Sequence, residues 1–180
     1  MITSINASYC IGGNMSEYKI KAIVFDWGDT LMRDYIQFSG PMVEWPQVDV
    51  MPGVKDAMSK LYKSYICCVA SNAGDSDVGQ MRLALARVGI EKYFKKFFTS
   101  QELGAKKPDK KFYQEILEQL NLNPCEVIVV GNDYYKDIEP AKSVGMWTIL
   151  ISETKNTDKF PSADYLIKRM DELNYVISKI

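Results

Sequence analysis

Apolar and polar positions alternate in blocks along most of the chain. Short apolar runs at Ala22 to Phe25, Tyr65 to Ala70, Phe97 to Thr99, Val127 to Val130 and Trp147 to Ile151 read as strands buried on both faces. The stretches between them have helical spacing. Pro52-Gly53 opens a helix to about Lys63, with Pro52 suited to the first turn. A second helix, from about Asp77 to Val88, directs Met81, Leu83, Leu85 and Val88 toward a core and stops at Gly89. A third follows Asp109 with Phe112, Ile116, Leu117 and Leu120 as its apolar stripe, and a fourth spans Tyr135 to Val144. Ala163 to Ile167 reads as a short sixth strand before a last helix from about Asp171. Met32 to Val50, with Tyr35, Phe38 and Trp45, holds no single period. Strand and helix in turn predict an α/β fold, a doubly wound, Rossmann-like parallel sheet of five or six strands covered by helices on both faces.

Composition narrows the functional classes. The chain has 180 residues, 47% of them hydrophobic, enough for one buried core. A net charge of -1 provides no global field for nucleic acid or anionic lipid. No stretch has the apolar length of a membrane span, and the first residues lack the basic region and apolar run of a signal peptide. We expect residues 1–17 to be a disordered or extended tail and 18–180 to be a single domain. Cys10, Cys67, Cys68 and Cys125 have no metal-type spacing and read as reduced thiols of a cytoplasmic protein. Histidine is absent, which removes Ser-His and Cys-His nucleophiles and the commonest general base.

The strand ends carry the chemistry. Strand one ends in Asp26, followed by Gly28, Asp29 and Thr30; strand two ends in Ser71-Asn72; strand four ends in Asn132-Asp133, with Asp137 four residues on. Lys107 lies in a loop before the fourth-strand unit. In a parallel sheet these ends share one edge, so carboxylates, a hydroxyl and a lysine converge there. Clustered carboxylates call for a cation, and oxygen donors suit Mg²⁺. Taken singly, Ser71 reads equally as a cap, Lys107 as a solvated loop residue and Asp137 as a first-turn charge.

These residues, from about Ile20 to Ile151, resemble the haloacid dehalogenase superfamily. Its four motifs are matched in order by FDWGDTL, by the strand ending in Ser71-Asn72, by Gly104-Ala105-Lys106-Lys107-Pro108, and by Gly131-Asn132-Asp133 through Asp137-Ile138. The resemblance implies a Mg²⁺-dependent phosphatase in which Asp26 attacks phosphorus to form an aspartyl-phosphate. It further implies metal ligands among Asp26, the Gly28 carbonyl, Asn132, Asp133 and Asp137. Ser71 and Lys107 become catalytic phosphate ligands, Asn72 and Thr30 further contacts around the phosphate, with Thr30 supporting the loop.

The match has two departures. Family phosphatases usually carry an aspartate two residues after the nucleophile as acid and base, and here that residue is Gly28. Asp29 can substitute only if the loop turns it inward, and strand alternation aims it elsewhere. In the fourth motif Asn132 stands where an aspartate is frequent, and an amide oxygen brings no charge. The intervals from Asp26 to Ser71 and from Ser71 to Lys107 leave no room for a separate cap domain, so Met32 to Val50 is expected to form a flap. Tyr35, Phe38 and Trp45 would then stack on substrate, line a homo-oligomer contact or pin the flap to the core. The expected partner is a phosphorylated small molecule or an exposed phospho-group on a larger substrate. Two alternatives stay open: a 2-haloacid dehalogenase using the same aspartate, and a catalytically weak phospho-ligand binder with a regulatory role.

Overall fold

A computed structural model describes residues 19–154 and 156–180; the expected tail at 1–17 lies outside them. Six strands form one sheet in the order β3-β2-β1-β4-β5-β6, every neighbouring pair parallel. They are β1 (Ala22–Phe25), β2 (Ile66–Ser71), β3 (Lys96–Thr99), β4 (Val127–Gly131), β5 (Trp147–Ile151) and β6 (Tyr165–Ile167). The helices are α1 (Val54–Leu61), α2 (Val78–Arg87), α3 (Ser100–Leu103), α4 (Lys110–Leu120), α5 (Glu139–Ser143) and α6 (Leu173–Ile177). The doubly wound α/β fold read from the pattern is the fold observed.

Side-chain alternation along the central strands divides the core into two layers. Ile23 and Phe25 of β1 pack on one face with Met58 of α1, Met81 and Leu85 of α2 and Leu173 of α6. Ala22 and Val24 face the opposite layer, with Phe112, Tyr113 and Ile116 of α4 and Ala141 of α5. Cys67 and Cys68 on β2 divide in the same way and are buried thiols, and Cys125 is buried too. Burial pushes both β2 thiols up to about 12, Cys68 with a smaller contribution from Cys67.

Three elements differ from the pattern reading. Leu83 is 60% exposed, because α2 buries Met81, Ala84 and Leu85, a stripe one step round the helix. The helix expected over Tyr135 to Val144 is a π-helical turn, Tyr134–Ile138, followed by α5. The wider turn sets Asp137 in the interior and leaves Pro140 near the start of α5, where its missing N–H costs nothing. Pro52 precedes α1 instead of entering its first turn, and Gly53 in the left-handed region is the N-cap. A Cβ at Gly53 would stand 2.6 Å from the Asp171 backbone nitrogen, so close approach and conformation both favour glycine.

The 32–50 segment contains a single 3-10 turn, Met42–Glu44. Tyr35, Phe38 and Trp45 form a file of ring contacts that packs onto the larger core layer. Arg87, at the end of α2, donates to the Val43 and Trp45 carbonyls at 2.8 and 2.7 Å. Tyr35 donates to Asp49, and Met32 bridges Val50 in antiparallel fashion. The aromatics therefore pin the segment to the core. Among the described residues no helix is long and apolar enough to cross a membrane.

Candidate active site at the carboxyl edge of the sheet

The alternation that sorts the core also aims Asp26. It follows Ala22 and Val24 in phase, toward the layer built by α4, whereas Trp27 follows Ile23 and Phe25 into the other layer. The Asp26 backbone N–H donates to the Val130 carbonyl at 2.9 Å, which fixes the strand end beside β4.

Lys107 arrives from the loop before α4 and is 5% exposed. Its Nζ donates to Asp26 Oδ1 and to Asp137 Oδ1, each at 2.7 Å, and lies 5.6 Å from the centre of the Phe112 ring. Asn72 holds this lysine in place. Its Oδ1 accepts from the Lys107 N–H at 2.8 Å, and its Nδ2 donates to the Lys107 carbonyl at 3.1 Å. Both ends of the amide are thus bound to the lysine backbone, beside a cis Lys107–Pro108 peptide. Burial alone would lower the Lys107 ammonium, but the Asp137 and Asp26 carboxylates outweigh it and hold the proton firmly.

Asp137 is 1% exposed. Its second oxygen accepts from the Asp133 N–H at 3.1 Å. Burial pushes it up to about 6; Lys107 opposes that shift and the Asp26 charge adds to it. One ammonium shared by two carboxylates leaves an uncompensated negative charge in a largely buried place. That donor set, two carboxylates with the Asn132 amide close by, suits a hard cation. Among the described residues no group of three or more Cys, Asp or Glu forms a ready cage. Gly131 makes room for the carboxylate: a Cβ there would fall 2.3 Å from Asp137 Oδ2.

The remaining predicted residues are distributed as follows. Thr30 is fully buried and its Oγ1 donates to Asn132 Oδ1 at 3.0 Å, joining the β1 and β4 loops. Ser71 Oγ accepts from the Ala73 N–H at 3.1 Å and shapes the loop after β2, where Ala73 and Gly74 are left-handed. The Asp133 carboxylate caps the π turn, accepting from the Tyr135 and Lys136 N–H groups at 3.0 Å, and pairs with the Lys136 ammonium. Asp29 is left-handed, with φ of 53°, and its carboxylate accepts from the Asp34 N–H at 3.0 Å. It is turned toward the flap, away from Asp26.

The sequence reading did not single out Asp34. A Cβ on Gly28 would meet Asp34 Oδ2 at 3.2 Å and Asp34 Cβ at 3.4 Å. Its partial burial and the Asp29 and Asp26 charges raise its carboxyl above the ordinary value. It lines a cleft of about 190 Å³ between the flap and the loop after β2. No periodicity in the flap marks it; the left-handed Asp29 delivers it.

Comparison with known proteins agrees with this geometry. Residues 2–151 match the haloacid dehalogenase-like hydrolase family. The chain is 35% identical over 98 residues to the glyceraldehyde 3-phosphate phosphatase of Methanocaldococcus jannaschii, covering 53% of this chain and 43% of that protein. With the Pyrococcus furiosus protein of the same name it shares 28% identity over 134 residues, 72% of this chain and 55% of the relative. The chain thus spans about half the length of these curated relatives. A HAD-hydrolase from Bacillus subtilis, described as bound to magnesium, superposes with a TM-score of 0.72 at 14% identity, covering 89% of this chain and 99% of that one, a likeness of fold. With the family match running from before β1 through β5, and the strand-end residues gathered on one edge, this chain belongs to the haloacid dehalogenase-like hydrolase family.

Proposed function

We propose that this protein is a phosphohydrolase that cleaves a phosphate ester or anhydride through an aspartyl-phosphate on Asp26, with Mg²⁺ as cofactor. One observation carries the reading: Lys107 joins Asp26 to the buried Asp137 at 2.7 Å on each side, at the carboxyl edge of the sheet. Asp26 is the only member of this triad whose side chain retains appreciable exposure, 14% against 4% and 2%. It is therefore the group an incoming phosphorus atom meets.

Asp26, Asp137 and Asn132, with the Gly28 carbonyl, would hold the cation. Mg²⁺ there supplies positive charge against the phosphoryl oxygens. Lys107 orients Asp26 for attack and adds its own charge to the transferred group. Ser71, at the end of β2, supplies a hydroxyl on the opposite side. Asn72 acts through the Lys107 backbone, Thr30 holds Asn132, and Asp133 serves the turn that buries Asp137. The described residues act as one domain, the 32–50 flap bounding the site without a separate cap. The names of the relatives point to small phosphorylated metabolites, so glyceraldehyde 3-phosphate is the first substrate to assay.

The test is phosphate release from acetyl phosphate and p-nitrophenyl phosphate with Mg²⁺. Asp26→Asn should lower turnover by at least about 10³-fold, since the residue that forms the covalent bond is gone. Chloride release from 2-chloropropionate without metal would instead support a dehalogenase, and phosphate binding without release a regulatory binder.

A further inference from the structure

We propose that Asp34, carried on the flap, protonates the leaving group and then activates the attacking water, filling the place a side chain at position 28 would occupy. The inference rests on the phosphohydrolase reading above. Expelling an alkoxide from phosphorus demands a proton, and the ionisable groups bonded around Asp26, with Asp29 and Asp133, are engaged. Lys107 bonds both Asp26 and Asp137, Asp137 also accepts from a backbone N–H, Asp29 accepts from the Asp34 N–H, and Asp133 caps a turn. The Asp34 carboxylate accepts no hydrogen bond and forms no ion pair among the described residues.

Its position is specific. The chain leaves β1, turns at the left-handed Asp29 and returns, so Asp34 Oδ2 stands 3.2 Å from where a Gly28 Cβ would be. Gly28 follows the proposed nucleophile by two residues, so the carboxylate enters the site by a detour through the flap. With Trp27, Phe38, Trp45 and Ala73 it lines the 190 Å³ cleft, into which no lysine or arginine among the described residues projects. A cleft with aromatic walls and acidic groups but no cation accepts a neutral, hydroxyl-bearing leaving group and disfavours a second phosphate or a carboxylate.

The steps balance. Asp26 forms a bond to phosphorus while the bond from phosphorus to the ester oxygen breaks, its electron pair passing to that oxygen. The oxygen takes the proton of the Asp34 carboxylic acid and departs as an alcohol. The Asp34 carboxylate then removes a proton from water as the water oxygen bonds to phosphorus. The Asp26–phosphate bond breaks, which restores the Asp26 carboxylate, a protonated Asp34 and inorganic phosphate.

The experiment compares acetyl phosphate, whose leaving group departs without a proton, with glycerol phosphate, whose leaving group needs one. For Asp34→Asn the ratio of kcat/KM on acetyl phosphate to that on glycerol phosphate should rise about 10²-fold or more over wild type, the scale of general acid catalysis. During acetyl phosphate turnover the aspartyl-phosphate should accumulate, seen as an acid-stable mass increase or trapped by borohydride. Combining Gly28→Asp with Asp34→Ala should restore the ratio, because truncation at position 34 removes the carboxyl atoms that crowd a Cβ at position 28 and the new aspartate supplies a carboxylate in the same volume. An unchanged ratio, or wild-type turnover of acetyl phosphate with none of glycerol phosphate, overturns the role of Asp34 and leaves the phosphohydrolase reading standing. Absence of wild-type turnover on both substrates overturns the phosphohydrolase reading and the Asp34 role with it.

Discussion

The two sides of Asp26 are built on opposite principles. On the side of α4 and α5, Lys107 and Asp137 are almost wholly buried and their polar atoms are satisfied by each other, by Asp26 and by the backbone. On the side of the flap, Asp34 occupies the space beside Gly28 and borders a water-accessible cleft. The closed side fixes charges before any ligand arrives, which suits the phosphoryl group common to every substrate of such a reaction. The open side has little regular secondary structure, and in the proposed reaction the leaving group that varies between substrates would be met by loop residues there. In the proposed reaction, fixed chemistry and adjustable specificity would thus occupy different layers of one sheet edge.

The strongest way to break this contrast is to unbalance the closed side. Lys107→Met leaves Asp26 and Asp137 facing each other without their ammonium, and the loss of stability is expected at about 3–5 kcal/mol in urea unfolding. Retention of full stability would show that the triad is more hydrated than its burial indicates.

An intermediate effect comes from the buried thiols of β2, the strand that leads to Ser71. Burial raises Cys67 and Cys68 from 9.0 to about 12, so the folded state resists losing their protons. Their contribution is fully present below pH 9, where the unfolded chain still holds its thiol protons, and is lost as pH rises toward 12. The free energy of unfolding in urea should therefore fall above pH 9, by at most about 1.4 kcal/mol per pH unit for each thiol, or about 2.8 kcal/mol for the two by pH 10. A Cys67→Ala/Cys68→Ala protein should have a flatter profile.

The smallest effect belongs to the open side. Asp34→Asn should change stability by less than about 0.5 kcal/mol, as expected at an exposed carboxylate without a hydrogen-bond or ion-pair partner among the described residues. A larger loss would mean that Asp34 helps to hold the flap, and would narrow the difference between the two sides.

The closed side was also the more legible in sequence. Apolar runs ending in Asp26, Ser71 and Asn132-Asp133 announce their place, because a parallel sheet gathers its strand ends on one edge. Lys107 was legible as the lysine of a loop before an amphipathic helix. The open side was not, since Asp34 depends on one left-handed residue and on a segment with no period. The division of labour among neighbours was equally hidden. Nothing in GNDYYKD says that a π turn buries Asp137 while Asp133 becomes its cap, and nothing in Ser71-Asn72 says that the amide clasps the Lys107 backbone. Such outcomes follow from backbone hydrogen bonding that is decided only once the loops meet. Leu83 shows the ordinary limit of periodicity, because a helical stripe can rotate by one residue without changing its composition.

Gly131 gives the site a weakness of a hereditary kind. It ends a strand, bears no chemical group and would pass in a list of natural variants as a harmless position. Yet even the single methyl of Gly131→Ala would overlap the Asp137 carboxylate, at 2.3 Å from its oxygen and 2.5 Å from its Cβ. The mildest substitution the genetic code allows there is thus a lesion in the triad itself, and its carriers would resemble those with a damaged Asp137 while every ionisable residue reads as wild type.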